Sequence, residues 1–242
     1  MKFQPPPRVV SQTEYISVSA DGEDAWKTMD LVDILQRGGV GVLPTDTGYG
    51  FVTPLDSKQG LERLLRIKGI QDCKKPLSLL CSNLKTIDEF CFGIDKAAFK
   101  VLKKNLPGPY TFILPAKNTL PNGIVMDIKG GKHSWKRQTL GVRIPNDPVL
   151  RYLQDDLLDG MPLLVSSLPI LGMDDDDDDF MTPSTQLIDC QVDMNASWCN
   201  QVDFVVDAGT RPYDGSTIFD LSATRGEPIL VREGLGELQL VQ

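Results

Sequence analysis

Apolar positions along the chain follow two different periods, and the switches between them mark out the elements. In "WKTMDLVDILQRGG" Trp26, Met29, Val32 and Leu35 recur near helical spacing, and Gly38-Gly39 stops the run, which predicts a helix. "VGVLP" and "GFVTPLD" then read as two short strands around the polar stretch "TDTGY". A second helix runs through "KQGLERLLRIKG", with Asp56 or Ser57 able to cap it, Glu62 and Arg66 four apart, and Gly69 as its end. "PLSLLC" is a strand, "IDKAAFKVLKKN" a helix, "YTFILP" and "LGVRIP" strands. Asn146 or Asp147 opens a further helix before Pro148, and "PLLVSS", "VDFVVDAG", "STIFDLS" and "PILVREG" complete the series as strands.

Helices and strands alternate early and strands follow one another late, so the expected fold is α/β, built on a mixed β-sheet with flanking helices. The 242 residues, 41% of them hydrophobic, are enough for one sizeable core. Residues 1–24 are polar and Pro-rich and read as an N-terminal polar extension. Residues 25–242 read as a single domain, with 172–183 as an acidic loop insertion. The longest apolar runs, such as "PLLVSSLPIL", fall well short of the roughly 18 residues a membrane helix needs. "MKFQPPPRVVSQTEY" has two basic residues and no apolar signal region, so no membrane partner is expected and the expected location is cytoplasmic, with an organelle left open.

Charge changes this picture. The net charge is −8, but residues 58–151 carry 18 Lys/Arg against 7 Asp/Glu, a balance of +11, while residues 152–242 carry 3 against 18. A folded cluster of cations binds phosphates or nucleic acid. The run Asp174 to Asp179 repels itself and reads as a solvated loop, since calcium loops alternate their ligands with other residues and turn at a glycine. Five cysteines without C-x-x-C spacing argue against a zinc site or disulfide framework, and no metal-ligating set stands out. The single histidine, His133, lies in a polar loop stretch, which leaves little basis for triad or multi-histidine chemistry.

Four segments carry candidate chemistry. "GVLPTDTGYGF" follows a strand as a phosphate loop would, but has neither G-x-x-x-x-G-K-[ST] nor G-x-G-x-x-G. Thr45 and Thr47 can hold a polar ligand, Gly48 and Gly50 admit close approach, and Tyr49 can pack on it; a plain inter-strand turn explains the same residues. "RIKGIQDCKKPLSLL" gathers Arg66, Lys68, Lys74, Lys75 and Ser78 around a turn, suited to a triphosphate or to a solvated helix end. "NLPGPYTFILP" gives a rigid entry to a strand whose first inward hydroxyl is expected to be Thr111. "LGVRIPNDP" sets Arg143 in an apolar strand, where it needs an anionic partner: a ligand carboxylate or phosphate, or an internal acid.

In this order "LPTDTGYGF", "IKG" with "KPLSLL", "PGPYTFIL", "GVRIPNDPV", "PLLVSSL", "STIFDL" and "VREGLG" resemble the YrdC-like family of threonylcarbamoyl-adenylate synthases, from about Gly38 to Gly236. The resemblance implies a twisted α/β sheet with a large basic cavity that binds nucleotide and double-stranded RNA. It implies a nucleotidyltransferase that combines ATP, L-threonine and bicarbonate into threonylcarbamoyl-AMP and pyrophosphate, with ATP as substrate and Mg2+ as cofactor. The product serves threonylcarbamoyladenosine modification of tRNA, and so translation. By the same resemblance Thr45, Arg143 and Ser167 bind threonine, and Lys68, Lys75, Ser78, Thr111, Ser216 and Arg232 bind nucleotide. No nucleophile or general base is required, because such a site works by positioning and charge neutralisation.

Two positions depart from the synthases. Ile70 stands where their K-x-R turn has Arg, and Pro169 where their S-x-N has Asn, so the resemblance is closest to the YciO-type branch. The alternative activity is a non-catalytic RNA-binding module for tRNA or rRNA that keeps the cavity. Lys129, Lys132, Lys136 and Arg137 around Trp135 are the expected RNA contacts, since cations beside an aromatic suit an RNA surface. RNA affinity measured against salt should fall steeply. Changing these four residues to Ala should flatten the slope; salt-insensitive binding would remove them from the interface.

Overall fold

Side-chain caps decide where the helices begin. Ser57 Oγ accepts from Gly60 N at 2.9 Å and starts α2 (Lys58–Ile67), while Asp95 starts α4 (Lys96–Asn105) and Asp147 starts α5 (Pro148–Arg151) in the same way. Asn83 caps α3 (Leu84–Phe90), which the apolar spacing does not announce. The computed structural model describes residues 13–69, 77–117, 120, 139–168, 189–190, 196–212, 214–222 and 227–241.

The helix expected over Trp26–Leu35 is a 3-10 turn, Ala25–Asp30, running into α1 (Leu31–Gln36). Its buried positions, Ala25, Thr28 and Leu31, follow the three-residue spacing of that helix, whereas Trp26 and Met29, one position on with the same spacing, are 56% and 55% exposed. Gly38 ends the run at a φ of 80°. Glu62 lies 4.0 Å from Lys58, one turn back. Downstream, α5 widens into a π-type turn, Tyr152–Leu157.

The strands are β1 (Glu14–Ser17), β2 (Gly41–Thr45), β3 (Gly48–Pro54), β4 (Ser78–Leu80), β5 (Tyr110–Pro115), β6 (Thr139–Arg143), β7 (Leu163–Ser167), β8 (Asp189–Cys190), β9 (Phe204–Asp207), β10 (Arg211–Pro212), β11 (Thr217–Asp220) and β12 (Ile229–Arg232). Ten of them form one mixed sheet in the order β1-β9-β2-β3-β7-β4-β6-β5-β11-β12, and β8 pairs with β10. β1, from the stretch expected to be an extension, is the edge strand and runs parallel to β9.

Alternation along each strand gives the sheet two faces. On one, Leu43, Val52, Leu163, Val165, Phe204 and Val206 pack with Leu31 and Leu35 of α1 and Val149, Leu150 and Leu153 of α5 and the π-type turn. On the other, Leu79, Phe112, Val142, Leu164 and Phe219 pack with Leu61 of α2, Ile87 of α3 and Val101 and Leu102 of α4. Val42, Phe51 and Val205 extend that second face, with Trp198 set edge-on to Phe51 at 5.3 Å between ring centres. Among the described residues the cluster on the first face includes no residue of β5, β6 or β11, and polar side chains take its place there. That part of the sheet is where the polar side chains of the site converge. Among the described residues no helix is long and apolar enough to cross a membrane.

The tightest packing point on the covered face is Gly41. A β-carbon there would lie 2.2 Å from Cζ of Phe204, whose ring is fully buried. Overpacking of this kind costs about 1–3 kcal/mol, so Gly41→Ala should lower the unfolding free energy by that amount, read as a lower urea midpoint, and adding Phe204→Leu should return part of it. An unchanged midpoint in the single variant would show that the ring has room to move.

Candidate functional site

The part of the sheet around β6 carries polar groups at a regular register. Ser78 pairs with Gly141 and Leu80 with Arg143, which places Gly141 and Arg143 two apart on one face of β6. A β-carbon on Gly141 would meet Ser78 Oγ at 3.0 Å and Thr111 Cγ2 at 3.2 Å, so all three stand on that same face. The Thr111 and Ser216 hydroxyls share a hydrogen bond of 2.6 Å. Arg232 donates from Nη2 to Ser216 O at 2.7 Å. Gly215, at a φ of 70°, makes room for it: a β-carbon there would lie 2.8 Å from Arg232 Nη2.

Arg143 is 7% exposed and is held from one side. Its Nη2 donates to Asp46 Oδ1 at 3.0 Å and to Thr47 Oγ1 at 2.7 Å. The second carboxylate oxygen of Asp46 accepts from Asn146 N at 2.8 Å, so the "TDTG" turn is clamped to the segment that follows Arg143. Arg143 Nε is buried and has no hydrogen-bond partner among the described residues. Burial pulls the guanidinium below its ordinary pKa, Asp46 opposes that shift, and Arg232 adds to it through repulsion between like charges. Arginine still stays charged in proteins. Burial likewise pushes the Asp46 carboxyl upward, against the pull of Arg143. A raised carboxyl favours folding below its ordinary pKa and loses that contribution as pH rises, so near neutrality the ionised pair is kept at a cost to stability.

Thr45 is buried, and its hydroxyl donates to Gly48 O at 2.7 Å while accepting from Thr47 N at 3.2 Å. With its hydrogen committed to the turn, Thr45 is left able to accept from a ligand but not to donate to one. Tyr49, expected to pack beside the ligand, instead sits opposite Pro44 in the β2–β3 pairing, on the face away from Thr45. Its hydroxyl is taken up by Asp207, Gly209 O and Ala208 N, because alternation turns it toward the end of β9.

A second group forms at the end of β7. Ser167 is exposed, pairs with Gly50, and accepts through its carbonyl from Lys68 Nζ at 2.8 Å. Lys75, Ile70, Pro169 and the basic residues Lys129, Lys132, Lys136 and Arg137 lie outside the described residues, as does the run Asp174 to Asp179. Thus Ser78, Thr111, Arg143, Ser216 and Arg232 converge on one face, and Lys68 meets Ser167. Asp46 is the residue that the sequence reading passed over, although an arginine in an apolar strand signals that an acid must answer it.

The arrangement is that of an α/β protein whose mixed sheet gathers two arginines and a row of largely buried hydroxyls on one face. The chain belongs to the Sua5/YciO/YrdC family, described as "Telomere recombination", which it matches over residues 33–234. It is 31% identical over 227 residues to the Escherichia coli K12 protein named "Uncharacterized protein YciO", covering 94% of this chain and 98% of that one. It is 28% identical over 205 residues to a protein of Methanocaldococcus jannaschii named "Putative threonylcarbamoyl-AMP synthase", covering 84% and 83%. The crystal structure of E. coli YciO superposes with a TM-score of 0.73 at 27% identity, over 94% of this chain and 98% of that one. That of P. abyssi Sua5 complexed with L-threonine superposes at 0.68 and 22% identity, over 92% of this chain and 58% of that one, a likeness of fold.

Removing one partner of a buried ion pair strands the other charge, at a cost of about 3–5 kcal/mol. In urea denaturation Asp46→Asn and Arg143→Met should each approach that loss, and the double variant should lose less than the sum by about 1–3 kcal/mol. Strict additivity would mean that the two side chains are not coupled.

Proposed function

We propose that the protein is a nucleotidyltransferase of the L-threonylcarbamoyladenylate synthase type, acting on ATP, L-threonine and bicarbonate. The observation that carries this reading is the buried Arg143. Its Nη2 is held by Asp46 and Thr47 while its Nε–H has no hydrogen-bond partner among the described residues, and it stands within the electrostatic reach of Arg232 on a face lined by Ser78, Thr111 and Ser216. Two cations and one acid leave net positive charge in a site that favours an anion. Membership of the family and the synthase names of its relatives support the choice of reaction.

In this reading Arg143 holds the threonine carboxylate, with the Thr45 and Ser167 side of the site around the rest of the amino acid. The threonine amine and bicarbonate form a carbamate with loss of water. A carbamate oxygen attacks the α-phosphorus of ATP, the bond to the β-phosphate oxygen breaks, and pyrophosphate leaves. Arg232, Lys68 and Lys75 neutralise the phosphates, and the hydroxyls of Ser78, Thr111 and Ser216 fix the nucleotide's place. Mg2+ suits the triphosphate, since it keeps several waters and is bound largely through substrate phosphates. The acyl-adenylate would serve tRNA modification in the cytoplasm.

A second reading, a module that binds ligand and RNA without turnover, is favoured by Ile70 and Pro169 at the positions of a synthase Arg and Asn. A planar guanidinium fork and an amide are not replaced by a lysine point charge. Incubation of the protein with ATP, L-threonine, bicarbonate and Mg2+, followed by mass spectrometry, separates the two. Threonylcarbamoyl-AMP should form, and the near-isosteric Thr111→Val should lower kcat/KM for ATP about tenfold, equivalent to about 1.4 kcal/mol. No product at high enzyme concentration, with a threonine-dependent rise in melting temperature retained, would transfer the assignment to the binding module.

A further inference from the structure

Away from the site, α4 turns one face into the core and another outward as an exposed stripe. Val101, Leu102 and Asn105 are buried, while Lys96, Phe99, Lys100 and Lys103 are exposed at the i, i+3, i+4, i+7 spacing of a single stripe. Lys96, Lys100 and Lys103 form no ion pair with any described residue. The helix contains four lysines and no acid, so Lys96 with Lys100, Lys100 with Lys103 and Lys100 with Lys104 are like-charged neighbours one turn apart. Such pairs weaken a helix. In a chain of net charge −8 this concentration of cations is not a matter of overall composition. Phe99, 48% exposed, stands among the lysines, and Phe92, 51% exposed, lies just before the helix.

From Lys96 to Lys103 the stripe rises by seven residues at about 1.5 Å each, about 10 Å in all. Three cations spread over that length can run along the phosphates of a single strand, as the basic grooves of single-strand binders do. A phenylalanine ring among them supplies a platform for an unpaired base, a contact that tolerates any sequence. We infer that the outward face of α4 is a docking surface for RNA with unpaired bases, separate from the sheet-face site, with Lys96, Lys100 and Lys103 on the phosphates and Phe99 under a base. The surface does not depend on whether the sheet-face site performs chemistry, because none of its residues belongs to that site.

The test is fluorescence anisotropy of a labelled single-stranded RNA and a labelled tRNA transcript with the full-length protein, read across a salt series. Neutralising the three lysines together as Lys96→Gln, Lys100→Gln and Lys103→Gln should lower the slope of log affinity against log salt by about 2–3, at about 0.7–0.9 per phosphate contact. Phe99→Ser should weaken binding by about fivefold to a hundredfold and leave that slope in place, as loss of stacking requires. All four positions are exposed, and circular dichroism of each variant checks that the helix is kept. An unaltered slope and affinity in both variants would overturn the proposal. So would binding to vesicles of anionic phospholipid without binding to either RNA, which would make the stripe a membrane contact.

Discussion

The ion pair between Arg143 and Asp46 is the constraint around which the rest of the site is arranged. A guanidinium in a strand between apolar neighbours is costly unless an acid meets it, and the acid comes from a turn almost a hundred residues earlier in the chain. To reach Arg143 that turn must lie over the end of β6. Asp46 also takes Asn146 N, and Thr45 closes the turn on itself through Gly48 O. The neighbouring acid, Asp147, divides its two oxygens between Leu150 N, where it caps α5, and Arg211 Nε at 3.0 Å. Arg211 in turn donates to Ala208 O and Ala20 O. Two buried ion pairs on adjacent segments therefore tie the β2–β3 turn, the start of α5 and the chain after β9 into one rigid rim.

This rim explains why the polar motifs are separated in sequence yet act at one place. Apolar cover by α1, α5 and the π-type turn reaches as far as β4 on the first face of the sheet. Beyond it the hydroxyls of Ser78, Thr111 and Ser216 continue the register of the strands without a cluster of apolar side chains over them. Glycine at 141 keeps the floor between Ser78 and Thr111 low, and glycine at 215 admits the guanidinium of Arg232. Two guanidinium groups thus stand on the part of the sheet that the described apolar clusters leave to polar side chains. Burying Arg143 is made tolerable by Asp46 and Thr47, which take up its Nη2.

Much of the fold was legible along the chain. The strands of the β2–β3 hairpin, β5, β6, β7 and the last three long strands fall where alternation and apolar runs put them, and the Gly38 and Gly69 stops, the Ser57 and Asp147 caps and the mixed character of the sheet follow from local chemistry. Less visible were elements whose signal is weak or displaced. Glu14–Ser17 is a four-residue edge strand in a polar segment, and it is specified by pairing with β9 rather than by its own pattern. In the 3-10 turn the buried positions are Ala25 and Thr28 rather than Trp26 and Met29; both pairs have the three-residue spacing, so the local period does not choose between them.

The sequence by itself determined the residue types of the site and their order: an arginine within an apolar strand, hydroxyls at strand starts, glycines where the backbone bends, and the ordered set of motifs that marks the family. Only the tertiary structure decided which of these side chains meet. Periodicity places a residue on a face, but two sheet neighbours can be separated by a hundred residues, and nothing local encodes which acid lies opposite Arg143. Nor could it show that the hydroxyl of Thr45 is turned back into its own loop, or that Tyr49 faces the far side to close on Asp207 and Gly209. Those outcomes depend on register and strand order, which the whole chain sets together by burying its apolar faces.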